Sequence, residues 1–304
     1  MSATDTTPSI YRGRFAPTPS GPLHFGSLIA AVGSYLQARR VGGEWWLRIE
    51  DLDPPRVVPG AADAILRTLE AFGFTWDGPV LYQSQRSEAY REALETLRRA
   101  DAVYRCTCSR REIAARAALG PAGPIYPGTC RSGHDPGRSQ YSWRLRTAGA
   151  RIAFVDAVQG PVAMDIEAEL GDFVVLRADG VFAYHLALVV DDAASGITEV
   201  VRGRDLLACT PPQILLQQRL GLPTPRYLHL PIAVNALGQK LSKQTHAPPL
   251  DPTRPVPQLA AALAFLGHPP PADVRGSLDE LWTWARAHWD PTRVPAAVTT
   301  PICD

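Results

Sequence analysis

Lysine is nearly missing from this chain. Of 31 Lys and Arg side chains only two are lysines, Lys240 and Lys243, and both fall in the pentapeptide Lys240-Leu241-Ser242-Lys243-Gln244. Arginine everywhere else points to a need for a compact ammonium, rather than a guanidinium fork, at that one place. Charge of one sign is not in excess either: 31 cations against 30 acidic residues leave a net charge of +1. That excludes an all-over basic nucleic-acid binder, because such affinity scales with the cationic contacts made to phosphates; a local basic groove stays compatible. No apolar run approaches the ~20 residues of a membrane span. Met1 to Ser9 has neither the basic nor the apolar region of a secretory leader, so a cytoplasmic protein with no membrane partner is expected. Cysteine is scarce and odd in number, with five at Cys106, Cys108, Cys130, Cys209 and Cys303. That excludes a disulfide framework and leaves metal or redox use for the first three. What is present, 304 residues with 45% hydrophobic and 20% charged, suits one large domain or a domain with an appendage.

Strand and helix signals alternate through the first hundred residues, which predicts an α/β architecture with a parallel sheet. Ile10 to Ala16 reads as a strand stopped by Pro17, Pro19 and Gly21, and Gly26 to Arg40 as a helix with Leu28, Ile29, Val32 and Leu36 on one face. A strand from Glu44 to Ile49 and helices from Ala61 to Phe72 and Ser87 to Arg99 complete a first half. Residues 104–153, rich in Gly and Pro and carrying the cysteine cluster, read as an insertion. Strands are expected at Gly171 to Leu176, Val181 to Val190, Thr198 to Arg202 and Leu228 to Val234, with a helix from Pro211 to Leu220. Beyond the lysine loop, Ala247 to Pro257 reads as a proline-rich linker into helices at Leu259 to Leu266 and Leu278 to His288. The expected division is 1–103 and 154–247 for the two halves of a catalytic domain, 104–153 for the insertion and 248–304 for the C-terminal region.

Two segments carry phosphate chemistry. In the first, Arg14 to Gly21 leads to His24-Phe25-Gly26-Ser27, where a helix opens directly after a strand and a Pro/Gly turn. Free backbone N–H groups and the positive end of the helix dipole can hold a phosphate there, with His24 beside it as a donor. The second is the Lys240 to Lys243 loop, whose ammonium groups could close on a leaving pyrophosphate as it gains charge. A capped surface helix and a solvated basic loop are the ordinary alternatives.

Taken together, the two segments resemble the HIGH and KMSKS signatures of class I aminoacyl-tRNA synthetases. Arg14-Phe15-Ala16-Pro17-Thr18-Pro19-Ser20-Gly21 and Arg48-Ile49-Glu50-Asp51-Leu52-Asp53 resemble the glutamate branch of that class. Within it, the chain is similar to the glutamyl-Q tRNA(Asp) synthetases. Only about sixty residues follow Lys243, too few for the anticodon-binding domains of a full glutamyl-tRNA synthetase, so no anticodon-binding domain is expected. The resemblance departs at Ser27 and Gln244, the last positions of the two signatures.

What the resemblance implies is a Rossmann-type doubly wound parallel sheet with a zinc-bearing insertion and a short helical C-terminal region. It implies ATP-dependent activation of L-glutamate to glutamyl-adenylate without tRNA, followed by transfer to the queuosine cyclopentene-diol at the wobble position of tRNA(Asp). His24 and Lys243 would be catalytic. Arg14, Phe15, Ala16, Pro17, Thr18, Glu50, Tyr184 and Arg202 would form the glutamate pocket. His24, Gly26, Ser27, Lys240, Ser242 and Lys243 would bind ATP, brought in with Mg2+. Glutamate's two carboxylates and ammonium suit this set, with Arg14 and Arg202 pairing carboxylates in bidentate fashion and Glu50 holding the amine. For Glu50 a helix cap or surface carboxylate, and for Arg202 an ion pair with Asp205, are the structural alternatives. The partners expected are L-glutamate, ATP and queuosine-bearing tRNA(Asp), and the chain is expected to act as a monomer.

Cys106, Cys108 and Cys130 offer three soft ligands to one structural tetrahedral zinc ion. Ligand frequency favours His134 as the fourth, whereas the resemblance implies Tyr126. A helix bearing Arg91, Arg98 and Arg99, with Arg105, Arg110 and Arg111 after it, could border an RNA path or simply be solvated. Three other functions stay open: a truncated glutamyl-tRNA synthetase charging the 3′ end of tRNA(Glu), a small-molecule nucleotidyltransferase, and a non-catalytic zinc-containing RNA-binding module.

Overall fold

The computed structural model describes residues 10–120, 123–234, 247–296 and 299–301. Its centre is a set of parallel strands. β1 (Arg12–Phe15) pairs with β2 (Glu44–Ile49) in the register Arg12 to Glu44 through Phe15 to Leu47, and β2 pairs with β3 (Leu81–Tyr82). The crossover from β1 to β2 is α1 (Phe25–Arg39), and α2 (Ala61–Ala71) leads on toward β3. After α3 (Ser87–Arg99), β4 (Val103–Cys106) enters the cysteine segment, which holds the short helix α4 (Arg110–Ala114). β5 (Ser142–Leu145) leaves that segment antiparallel to β4. β6 (Arg151–Asp156) and β7 (Gly160–Asp165) form a hairpin, and β8 (Val174–Leu176) closes the small antiparallel sheet on β5.

α5 (Tyr184–Ala194) is followed by β9 (Glu199–Gly203), α6 (Thr210–Leu220) and β10 (Arg226–Leu230), and β9 pairs in parallel with β10. β9 lies beside β1, where the Thr198 N–H donates to the Arg12 carbonyl at 2.9 Å. β11 (Ile232–Val234) pairs in parallel with β12 (Thr299–Pro301), and the helices α7 (Pro255–Phe265) and α8 (Leu278–His288) cover the first half. Parallel strands with helical crossovers give a Rossmann-like arrangement, as expected.

Two expectations are corrected. Of the strand expected from Val181 to Val190, Tyr184 onward is helix, as part of α5, and only Phe182 keeps a β-bridge, to Leu176. The continuous apolar run suits a buried strand and a buried helix equally, so periodicity could not decide; in place, Leu186, Leu188 and Val189 are buried in the second core and Ala187 is buried beside them. The Leu228 to Val234 strand is broken at Pro231, which lacks the N–H a continuous ladder needs, giving β10 and β11.

Packing follows two apolar clusters. The first joins β1, β2, α1 and α2 to α7 and α8, with Trp45 fully buried and its ring 5.2 Å from Tyr35 and 5.5 Å from Phe74. Gly33 lets α1 lie directly on β10, since a Cβ there would stand 2.5 Å from Leu230 Cδ1. Trp282 Nε1 donates to the Phe72 carbonyl and Trp289 Nε1 to Gln37 Oε1, fastening the C-terminal helices onto this core. The second cluster gathers α3, β4, β5, α5, α6 and β10, so the strands flanking the cysteine segment share its packing. Among the described residues no helix is long and apolar enough to cross a membrane.

Candidate functional site

The turn after β1 is held by the strands around it. The Glu50 N–H donates to the Pro17 carbonyl at 3.0 Å and the Val58 N–H to the Pro19 carbonyl at 2.9 Å. α1 then opens with a reciprocal cap: His24 Nδ1 accepts from the Ser27 N–H at 3.3 Å, and the His24 N–H donates to Ser27 Oγ at 3.5 Å. The cap gives Ser27 a role that its departure from the family signature left open. It also assigns the tautomer, because a neutral ring that accepts at Nδ1 carries its proton at Nε2.

A cavity of about 1060 Å³ lies over this helix start, at the carboxyl ends of β1, β2, β9 and β10. It brings together every predicted glutamate residue, from Arg14 to Thr18 along β1 and its turn, with Glu50, Tyr184 and Arg202 across from them, and also His24, Gly26 and Ser27. Lys240, Ser242 and Lys243 lie outside the described residues, as does the rest of their loop.

The floor of the cavity is ionic. Asp192, at the end of α5, accepts from Arg14 Nε at 3.1 Å and Nη2 at 3.3 Å and from Arg48 Nη1 at 2.6 Å, while Arg48 Nη2 reaches Glu50 at 3.1 Å. All but Glu50 are at most 3% exposed. Burial works against the Asp192 carboxylate, yet Arg14 and Arg48 hold its pKa below the ordinary carboxylate value. Burial raises the Glu50 carboxyl despite Arg48. Arg14 is therefore engaged side-on along its Nε–Nη2 edge, and its outer Nη1–Nη2 end is the part that can meet a ligand carboxylate.

Arg202 is held differently. Its Nε donates to His229 Nε2 at 3.1 Å, and Nη2 donates to Thr210 Oγ1 at 2.9 Å, Gln213 Oε1 at 2.8 Å and the Leu206 carbonyl at 3.4 Å. These partners are uncharged. Nη1 meets the Tyr184 hydroxyl at 3.4 Å, and burial pushes that phenol up to about 12. Here the ligand is offered one corner, not an edge. Behind Gln213, burial first and then Arg202 push His185 down to about 4, so its ring is neutral at pH 7 and accepts from Gln213 Nε2 at 3.4 Å.

The cysteine segment forms a second candidate centre. The sulfurs of Cys106, Cys108 and Cys130 lie within 4.8 Å of one another, Cys108 and Cys130 being 3.5 Å apart. The Tyr126 hydroxyl is 3.2 Å from the Cys106 sulfur and 3.9 Å from that of Cys108, and it accepts from the Cys130 N–H at 3.0 Å. This spacing fits a tetrahedral ion with metal–sulfur bonds of roughly 2.3 Å, whose sulfurs stand just under 4 Å apart. His134 is not among the residues that converge there; its ring centroid lies 6.4 Å from that of Tyr141. Asp172 anchors the segment from beneath, accepting from Tyr104 at 2.6 Å, Arg131 at 2.6 and 3.0 Å, and the Thr147 N–H and hydroxyl at 2.8 and 2.9 Å.

No role was assigned from the sequence to Arg48, which opens one of the motifs, and Asp192, Thr210, Gln213, His229 and Asp172 were not singled out. The one signal was the Asp191-Asp192 pair ending an apolar run, a place where carboxylates are buried only with partners. The arginines beside the insertion are partly used: Arg98 pairs with Glu95 at 2.7 Å, and the Arg105 guanidinium lies 4.6 Å over the Tyr141 ring.

Comparison with known proteins follows this geometry. The family tRNA synthetases class I (E and Q), catalytic domain, matches residues 11–248. Curated relatives named glutamyl-Q tRNA(Asp) synthetase include that of Aromatoleum aromaticum, 59% identical over 94% of this chain and 90% of its own length, and that of Pseudomonas aeruginosa, 53% identical over 96% and 98%. Among solved structures, the glutamate-tRNA synthetase of Elizabethkingia anophelis superposes with a TM-score of 0.78 at 27% identity, covering 96% of this chain and 68% of that one. The glutamate tRNA ligase of Elizabethkingia meningosepticum, solved with its amino acid, gives 0.77 at 26% identity, covering 95% and 66%.

Proposed function

The chain belongs to the class I tRNA synthetases (E and Q) and groups there with the glutamyl-Q tRNA(Asp) synthetases, and from that premise we propose that it activates L-glutamate with ATP and passes it to queuosine in tRNA(Asp). The observation that carries this reading is the convergence of Arg14, Glu50, Tyr184 and Arg202 in one cavity with the start of α1.

In the first step an α-carboxylate oxygen of glutamate attacks the α-phosphorus of ATP, forming the mixed anhydride and expelling pyrophosphate. No side-chain nucleophile is needed; the site works by holding the two reactants in line and stabilising developing charge. The Nη1 corner of Arg202 and the Tyr184 hydroxyl hold one carboxylate, the outer Nη1–Nη2 end of Arg14 assists, and Glu50 receives the ammonium. The N–H groups opening α1 and the Nε2–H of His24 face the phosphates, and Lys240, Ser242 and Lys243 are assigned to the departing pyrophosphate. In the second step a hydroxyl of the queuosine diol attacks the acyl carbon, forming an ester and releasing AMP.

Cys106, Cys108, Tyr126 and Cys130 would hold one structural zinc ion, which would crosslink a segment that has little apolar core of its own. Three buried or half-buried sulfurs and a phenol at these distances support that assignment.

The test is glutamate-dependent ATP–pyrophosphate exchange without tRNA, followed by transfer of labelled glutamate to tRNA(Asp) that lacks its 3′-terminal adenosine, with and without queuosine. Exchange and queuosine-dependent label are expected. Label that instead requires an intact 3′ end on tRNA(Glu) makes this a truncated glutamyl-tRNA synthetase, and exchange with neither acceptor leaves the adenylate chemistry right and the acceptor wrong.

A further inference from the structure

His229 is wholly buried on β10, and its environment fixes its protonation pattern. On one side, Asp156 Oδ2 lies 2.6 Å from Nδ1, so the ring donates there. On the other, Nε2 receives the Arg202 Nε–H at 3.1 Å and stands 3.3 Å from Thr210 Oγ1. An arginine N–H can only donate, so Nε2 must be an acceptor and the ring neutral with its proton on Nδ1. Asp156 is itself locked: its Oδ1 accepts from the N–H groups of Val158, Gln159 and His229 at 3.0, 2.9 and 3.1 Å. The carboxylate thus cannot turn away, and the chain of contacts runs Asp156, His229, Arg202, cavity.

We infer that Asp156 and His229 are positioning residues for Arg202: they set the imidazole tautomer that lets Nε2 hold the arginine's Nε edge, and so aim Nη1 and the Tyr184 hydroxyl at the substrate. This rests on the reading that Arg202 binds a glutamate carboxylate. The arrangement explains why Arg202 can offer charge to a ligand when Arg14 is matched directly by Asp192: the balancing carboxylate stands one imidazole away. Neither residue is predicted to touch glutamate or ATP.

Asp156→Asn tests the tautomer with little change of shape. Its amide oxygen can keep the backbone N–H contacts, but its NH2 donates to Nδ1 and moves the ring proton to Nε2, where it confronts the Arg202 Nε–H. The glutamate KM in pyrophosphate exchange is expected to rise about tenfold or more, the size of a lost hydrogen bond to a charged group, while the ATP KM stays within twofold. His229→Gln supplies an amide oxygen near the Nε2 position with no tautomer to set, so the double variant Asp156→Asn, His229→Gln is expected to recover a glutamate KM within threefold of His229→Gln alone. An unchanged KM in Asp156→Asn overturns the inference, and so does a double variant no better than Asp156→Asn, since that pattern belongs to a purely structural carboxylate. Should Asp156→Asn not fold, 15N NMR of the wild-type histidine rings decides: the resonance missing from His229→Gln must be an Nδ1–H tautomer, and an Nε2–H form refutes the relay. Absence of any glutamate-dependent exchange in the wild-type enzyme overturns the functional reading instead, and the NMR result stands apart from it.

Discussion

Replacing Asp192 by Asn removes one negative charge from the floor of the cavity while keeping the side chain's shape. In the wild-type protein Arg14 and Arg48 pair with Asp192 and Glu50; in the variant Glu50 is left as their one directly paired carboxylate, with Asp191 acting on Arg48 from farther off. Three charge-assisted hydrogen bonds are affected, each worth roughly 1.5–3 kcal/mol, and the asparagine oxygen recovers one or two of them as weaker, neutral ones. The expected loss is therefore about 3–5 kcal/mol, the range for breaking a buried ion pair by removing one partner. That is a large share of a typical domain stability of ~5–15 kcal/mol. Urea unfolding at pH 7 should show a lower midpoint with an unchanged slope. The pH dependence supplies an independent check. The folded pKa of Asp192 is depressed, so its contribution is complete above the ordinary carboxylate value and is lost as pH falls through the lower, folded value. Below about pH 4, wild-type stability should fall faster than that of Asp192→Asn by up to ~1.4 kcal/mol per pH unit, the slope for one proton. Glu50, raised chiefly by burial, acts in the opposite sense in both proteins. A loss under ~1 kcal/mol, with parallel acid curves, would mean that this carboxylate is solvated or dispensable and that the clamp described here is wrong.

Other expectations are more local. His134→Ala should retain one zinc per chain by elemental analysis, whereas Tyr126→Phe should release it at lower chelator concentration; the reverse order would return His134 to the ligand set. Gly171 has a φ of +72° and lies so near Tyr126 that a Cβ would stand 2.6 Å from its carbonyl oxygen, so Gly171→Ala should cost at least about 1–2 kcal/mol in urea and weaken zinc retention with it. His24→Ala should lose about 1 kcal/mol of stability with its cap and roughly a hundredfold in exchange kcat with its donor; equal small effects on both would make the ring only a cap.

The parts legible in the sequence were those written locally. A Pro/Gly turn between a strand and an amphipathic stretch places the Phe25 helix to within a residue, and Glu44–Ile49, Ser87–Arg99 and Leu278–His288 are bounded as their patterns predict. The cavity was legible because its residues sit in motifs that resemble a known class. What stayed hidden depends on pairs far apart in the chain. Asp192 meets Arg14 across 178 positions, and Asp156 meets His229 across 73, with nothing in either neighbourhood to announce the partner. The single-corner presentation of Arg202 is likewise set by Thr210, Gln213 and His229, not by its own flanking residues. Tyr126 could not be preferred over His134 by donor chemistry alone, since the choice rests on which side chain the backbone carries to the sulfurs.

The seating of Trp282 and Trp289 against Phe72 and Gln37 carries a consequence for synthesis on the ribosome. Once the segment through α3 has been made, the apolar side of α1 still awaits α7 and then α8, and is fully covered only after Trp289 has followed. At ~5–20 residues per second, some 190 further residues take roughly 10–40 s. The helix whose first turn caps the cavity is thus made well before the two helices that complete its burial.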